Sequence, residues 1–176
     1  MNNTASDSHK KEEIIIRRAK PKDSPQIFQL LLDLAVFLKS GKDVVLTPEE
    51  FHDDLFCEPP KCQCVVATTA QESDTIIGYS LFYPVYSAWK GFSLYMEDLF
   101  VKPEHRRKGV GKLLWQKVTQ IGLDMGCKGL RLTVENWNKT AKDMYTHHGC
   151  VDLTEALDEH PMYLNKAGME KLVQEV

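Results

Sequence analysis

SLYMEDLFVKPEHRRKGVGK, residues 93–112, decides the fold. Leu94, Tyr95, Met96, Leu99, Phe100 and Val101 make an apolar run of strand length, with two carboxylates, Glu97 and Asp98, set inside it. Pro103 ends the run, because proline has no N–H to give to a sheet ladder. Arg106-Arg107-Lys108-Gly109-Val110-Gly111 follows, and a helical pattern begins at once with Lys112 and Leu113. A strand, a basic glycine loop and a helix start form a ready anion site. Glycines admit close backbone approach, amide groups converge, and the helix dipole favours negative charge. The same residues also read as an ordinary strand-to-helix turn. They are not a dinucleotide fingerprint, since Lys112 and Leu113 stand where a third glycine would be prepared. Nor are they a P-loop, which needs a glycine five residues ahead of Gly111 and a Ser or Thr after Lys112. The clustered charge of Arg106, Arg107 and Lys108 favours a phosphate, met by backbone donors and fixed cations together.

Glu97 and Asp98 are neighbours, so a regular strand points them to opposite faces. One reading makes one acid solvent-facing and pairs the other with a buried arginine. The other puts a bulge in the strand and aims Glu97 into a cleft beside the phosphate loop.

Outward from this centre the pattern is α/β. Ile14 to Arg18 reads as a first strand. Asp23 or Ser24 caps a helix with Pro25 in its first turn and an apolar face at Ile27, Leu30, Leu31, Leu34, Ala35 and Leu38, closed by Gly41. Thr47 and Glu50 have capping-box spacing ahead of a short helix that buries Phe51, Leu55 and Phe56. Residues 62–69 and 75–83 read as strands, and 83–91 as a loop carrying Tyr86, Ser87 and Trp89. The helix after the glycine loop has the stripe Leu113, Leu114, Val118, Ile121 and Met125, ended by Gly126. Leu130, Leu132 and Val134 alternate with Arg131, Thr133 and Glu135, which predicts a half-exposed strand. Asn138 caps a helix with inner face Ala141, Met144 and Tyr145, stopped at Gly149. One or two further strands and a helix from Lys166 to Glu175 complete the chain. Residues 1–13 read as a disordered tail and 14–176 as one domain of order β-α-α-β-β-β-α-β-α-β.

With 176 residues and 43% hydrophobic content the chain can bury one ordinary core. A net charge of −3 gives no global electrostatic case for nucleic acid or an anionic membrane. No apolar run approaches the ~20 residues that span a bilayer. The polar start lacks a secretory apolar region, so a cytoplasmic setting is expected. Five cysteines, at 57, 62, 64, 127 and 150, lack the second pair a zinc site needs and read as free thiols, with no metal expected.

Arg106-x-x-Gly109-x-Gly111 after a strand, with Asn138, Ala141 and Tyr145 on a later helix ending in Gly149, resembles the GCN5-related N-acetyltransferases. Residues 94–114 and 134–156 are similar to the diamine (spermidine/spermine) acetyltransferase group. Within it, Tyr86-Ser87-x-Trp89, Trp137-Asn138-Lys139 and residues 152–156 are more like the thialysine N-epsilon-acetyltransferase branch.

The resemblance implies a mixed, mostly antiparallel central sheet flanked by helices, with an acetyl-CoA cleft where central strands splay. It implies a homodimer without metal, with Trp115 a candidate contact. Arg106, Arg107, Lys108, Gly109, Val110, Gly111 and Lys112 are then the pyrophosphate loop, and Leu99, Phe100 and Val101 the edge that pairs with pantetheine. Asn138, Lys139, Thr140, Ala141 and Tyr145 take the cofactor's far side. Glu97, through a water, is the implied general base, and Tyr145 the general acid. Read without the resemblance, Tyr145 is more simply a core tyrosine.

Glu97, Asp98, Trp89, Ser87, Arg131 and Thr133 are the candidate substrate contacts, an acidic and aromatic site for a cationic amine. Where polyamine enzymes carry acids, this chain has Leu38, Ser87 and Leu157. Fewer acids and Arg131 favour thialysine or a lysine-like amino acid over a diamine or polyamine. Protein lysine and a non-catalytic acyl-CoA sensor are the other readings.

Overall fold

A computed structural model describes residues 13–40, 44–154 and 164–174. The chain divides into two compact units, 1–133 and 134–176.

The first unit is built on a five-stranded sheet with strands in sequence order, β1 (Ile14–Arg18), β2 (Gln63–Thr69), β3 (Gly78–Ser87), β4 (Gly91–Val101) and β5 (Leu130–Leu132). The first four pair antiparallel, and β5 joins β4 parallel after the crossover helix α3 (Val110–Asp124). Helices α1 (Ser24–Phe37) and α2 (Pro48–Phe56) contribute Ile27, Phe28, Leu30, Leu34, Phe51 and Leu55 to a core on one face of the sheet. Helix α3 contributes Val110, Leu114, Val118 and Ile121 to the core on the other. The sheet is thus mixed, mostly antiparallel and covered on both faces, as expected.

Several local expectations hold for their stated reasons. Thr47 Oγ1 accepts from Glu50 N at 3.2 Å and Thr47 N donates to the Glu50 carboxylate at 2.9 Å, a reciprocal cap. Gly126 takes φ +76° at the end of α3.

Others are corrected. The Asp23 carboxylate does not cap α1. It lies 2% exposed, accepts from both Arg17 nitrogens at 2.6 and 3.0 Å and from Lys20 N at 2.7 Å, and ties β1 to the start of the helix. Lys39, at φ +62°, takes the left-handed turn after α1, ahead of Gly41, which lies outside the described residues. Leu113 and Met125 sit at the rim of α3, and the buried stripe runs through Val110 instead. Residues 75–77 precede β3, and 83–87, expected to be loop, belong to it. Strand β2 reaches only as far as the Gln63–Phe82 pair, so Pro84 lies on an edge where its missing N–H costs no ladder bond. Strand β5 stops at Leu132, short of Val134.

In the second unit, α4 (Lys139–His147) is capped by Asn138, whose Oδ1 accepts from Ala141 N at 3.3 Å, and is followed by Gly149 at φ +93°. Lys142 pairs with Asp152 at 2.7 Å. A helix at Lys166–Gln174 follows. The expected strand after Cys150 is absent from 151–154, and residues 155–163, with Leu157, lie outside the described residues, as do 1–12.

Candidate active site

The site begins with a break in a ladder. Leu81 pairs with Asp98 and Phe82 with Met96, so Glu97 is the extra residue of a β-bulge in β4. The cores record its effect. Leu94 packs in the α3 core, and an unbroken strand would put Phe100, six residues on, beside it. Phe100 instead packs with α1 and α2, while Leu99 and Val101 face α3. Ser80 Oγ fixes the bulge by donating to the Asp98 carbonyl at 2.7 Å.

The bulge brings both acids to tyrosines of one β3 face. Tyr79 and Leu81 of that face lie in the α1–α2 core. The Tyr79 hydroxyl donates to Asp98 Oδ2 at 2.9 Å, and the Tyr83 hydroxyl to Glu97 Oε2 at 2.8 Å. Glu97 is exposed and Asp98 half-buried. No arginine pairs with either acid among the described residues, so the buried-arginine alternative does not hold. Burial, opposed by the Tyr79 bond and reinforced by the nearby Glu97 charge, pushes the Asp98 carboxyl up to about 6.

Tyr95 stacks on Tyr83, with centroids 5.5 Å apart and planes at 22°, and its hydroxyl bonds to Thr133 Oγ1. Arg131 pairs with Tyr95 across the β4–β5 ladder. It is exposed, and it shares the face of Tyr95 and Thr133 because Leu130 packs towards α3. Among the described residues β5 ends at Leu132, and β4 runs on from Glu97 to Val101 without a β5 partner. Leu99, Phe100 and Val101 lie on this stretch.

A 3-10 turn at Pro103–His105 leads into the glycine loop. Arg107 (φ +65°) and Gly109 (φ +86°) are left-handed, and α3 starts at Val110 with no side-chain cap. The first amides of a helix have no intrahelical partner, so those of Val110, Gly111 and Lys112 are available to an anion. The Arg106 guanidinium is engaged by the protein. Its Nε donates to the Val101 carbonyl at 2.8 Å, and its carbon lies 4.9 Å and 5.3 Å from the Phe37 and Phe100 ring centroids. Arg107 and Lys108 carry the loop's remaining charge. A Cβ on Gly111 would meet only Val101 Cγ2, at an ordinary 3.8 Å. Among the described residues no contact demands glycine there, which fits a phosphate group lying against the helix start.

Ser87 and Trp89 are placed differently. The Ser87 hydroxyl accepts from Trp89 N at 3.3 Å and Lys90 N at 3.2 Å and closes the β3–β4 turn. Trp89 is 94% exposed at that tip. Five residues of strand separate Ser87 from Phe82 at the bulge, roughly 17 Å. Leu38, at the end of α1, packs against the α1–α2 core. In the second unit Tyr145 is 7% exposed, and burial holds its hydroxyl well above the ordinary tyrosine value. Lys139, Thr140 and Ala141 form the first turn of α4, behind Asn138. A cavity of ≈ 400 Å³ where α1 and α2 begin is lined by Pro25, Pro48, Glu49 and His52 among others and holds none of the predicted residues.

The sequence reading missed Tyr79, Tyr83 and Tyr95. Period-two spacing puts Tyr79 and Tyr83 on one face, but their acid partners follow only from the bulged register.

A mixed sheet, a parallel crossover into a glycine-led helix start and two acids at a strand bulge are the features around which the candidate site is built. Residues 27–150 match the Acetyltransferase (GNAT) family. The chain is 38% identical over 164 residues to the thialysine N-epsilon-acetyltransferase of Bos taurus, covering 90% of this chain and 96% of that one. It is 32% identical to the Caenorhabditis elegans thialysine N-epsilon-acetyltransferase over 88% of this chain and 94% of that one. Among solved structures, an integron cassette protein from the mobile metagenome of V. cholerae superposes with TM-score 0.72 at 21% identity, over 92% of this chain and 98% of that chain, which shows the fold. The chain belongs to the GNAT acetyltransferases and is an N-acetyltransferase.

Proposed function

We propose that the chain transfers acetyl from acetyl-CoA directly to the distal primary amine of thialysine or a lysine-like amino acid, both substrates being held together. The observation that carries this reading is the bulge that turns Glu97 and Asp98 to the tyrosine face, at the point where β4 parts from β5. Acetyl-CoA, the donor that GNAT acetyltransferases use, supplies the activated acetyl thioester.

The backbone of Arg107 to Lys112 would hold the pyrophosphate, the β4 edge from Leu99 to Val101 the pantetheine arm, and Asn138 to Ala141 the far side. An alkylammonium has a pKa of about 10.4 and must lose a proton before it can attack. Glu97 takes that proton through a water. Tyr145, kept protonated by burial, gives one to the departing sulfur. Four of the five cysteines suit transfer without an acyl-enzyme. Burial raises the thiols of Cys62, Cys64, Cys127 and Cys150, which leaves them poor nucleophiles.

Asp98 and Glu97 supply the negative charge for the ammonium. Arg131, one strand over and two residues back from Glu97, has its Cα roughly 8 Å from that of Glu97 by sheet spacings. Arg131 is thus the cation on the neighbouring strand that would take the α-carboxylate. The names of the bovine and nematode relatives point the same way. Single-domain organisation of residues 14–176, with the family match running from 27 to 150, and a homodimer belong to the same proposal.

Tyr145→Phe tests the acid. Turnover should fall by roughly 10²-fold, the usual size of a general-acid contribution, with the KM for acetyl-CoA nearly unchanged. Loss of acetyl-CoA binding would instead make Tyr145 structural.

A further inference from the structure

Glu97 has an odd placement for a base. It is exposed, and it is the unpaired residue of a bulge, so the ladder does not hold its backbone as it holds its neighbours. A glutamate side chain is among the most costly to fix in rotamer freedom. A base must nonetheless stand within hydrogen-bond reach of one proton in one geometry. Something has to hold this carboxylate.

The structure provides a brace reaching from β5 across β4 to β3. Thr133 Oγ1, just past the end of β5, bonds the Tyr95 hydroxyl. The Tyr95 ring stacks on Tyr83, and the Tyr83 hydroxyl donates to Glu97 Oε2. Among the described residues no other bond reaches the Glu97 carboxylate, so Oε1 stays open. We infer that Tyr83, steadied by the Tyr95 ring and Thr133, is the positioning residue for the Glu97 carboxylate, tying down one oxygen and directing the other to the substrate's water. Burial and the Glu97 charge together hold the Tyr83 hydroxyl far up in its protonated form, so it acts as donor throughout the working pH range. Tyr79 makes the parallel bond to Asp98, and the two tyrosines therefore divide the two acids between them.

This inference rests on the reading of Glu97 as the base, and a double-mutant cycle separates the two. Glu97→Gln, Tyr83→Phe and the double variant are compared by CoA release, with kcat and KM measured for both substrates. Each variant's thermal midpoint checks folding. The inference predicts a roughly 10-fold fall in kcat for Tyr83→Phe, as for a base left loose by a fraction of an ångström, with the acetyl-CoA KM unchanged. In the Glu97→Gln background, Tyr83→Phe should cost less than about twofold more, because residues acting as one unit are not additive. Full and multiplicative losses from each change would overturn the positioning role while leaving Glu97 as base. So would an unaffected kcat in Tyr83→Phe alone. A Glu97→Gln variant with undiminished turnover would overturn the base assignment and the inference together.

Discussion

Gly111 carries a test of the cofactor reading at the scale of one residue. Glycine inside a helix costs about 0.8–1 kcal/mol relative to alanine, and among the described residues nothing requires it here. Gly111→Ala should therefore stabilise the unliganded protein by up to about 1 kcal/mol while raising the KM for acetyl-CoA about 10-fold or more, as the new methyl intrudes on a bound phosphate. Thermal melts without ligand and acetyl-CoA titration check both halves. A variant that is stabilised with unchanged KM would remove the phosphate from this helix start. Gly109 differs, since φ +86° gives a glycine requirement of its own. These two glycines were legible in the sequence because their meaning is local. Arg106 was less so, since its side chain also lies over Phe37, a contact that crosses a long sequence gap.

At the scale of the element, β4 concentrates the chemistry. Adjacent acids in an apolar run already hinted at a bulge. The phase reversal that carries Phe100 to the α1–α2 face needed the pairing with β3. The far half of β3 was hidden by Pro84, which reads as a breaker until β2 is seen to stop at Gln63. Ser87 therefore lies at the far end of β3, where its hydroxyl accepts from Trp89 N and Lys90 N.

The bulge has a measurable cost. Asp98 is half-buried beside Glu97, and its carboxyl is raised from the ordinary range to about 6. A carboxyl raised on folding favours the native state below its unfolded value near 3.9, and this contribution is lost as pH rises through about 6. Asp98→Asn keeps an acceptor for Tyr79 and removes the titration. It should raise the melting midpoint at pH 8 by several degrees, about 2–4 °C for each kcal/mol recovered, and much less at pH 4. Equal shifts at both pH values would mean that Asp98 ionises freely.

For the whole molecule, the order of elements as far as α4 and the family were readable from the sequence because both rest on short, contiguous patterns. The substrate was not. Its evidence in the sequence, the leucines at 38 and 157 and Ser87, concerns acids that are missing, and a missing charge says little until the site around it is seen. Leu38 belongs to an apolar cluster, Ser87 to a turn, and Leu157 lies outside the described residues. The proposal of an amino-acid substrate rests instead on the ladder, where Arg131 pairs with Tyr95, two residues before Glu97.

The central claim is therefore best tested by CoA release with saturating acetyl-CoA against thialysine, lysine, putrescine, spermidine and a histone-tail peptide. The highest kcat/KM is expected for thialysine or lysine, with an Arg131→Ala loss confined to those α-carboxylate substrates. A preference for spermidine, or turnover of the peptide alone, would contradict it.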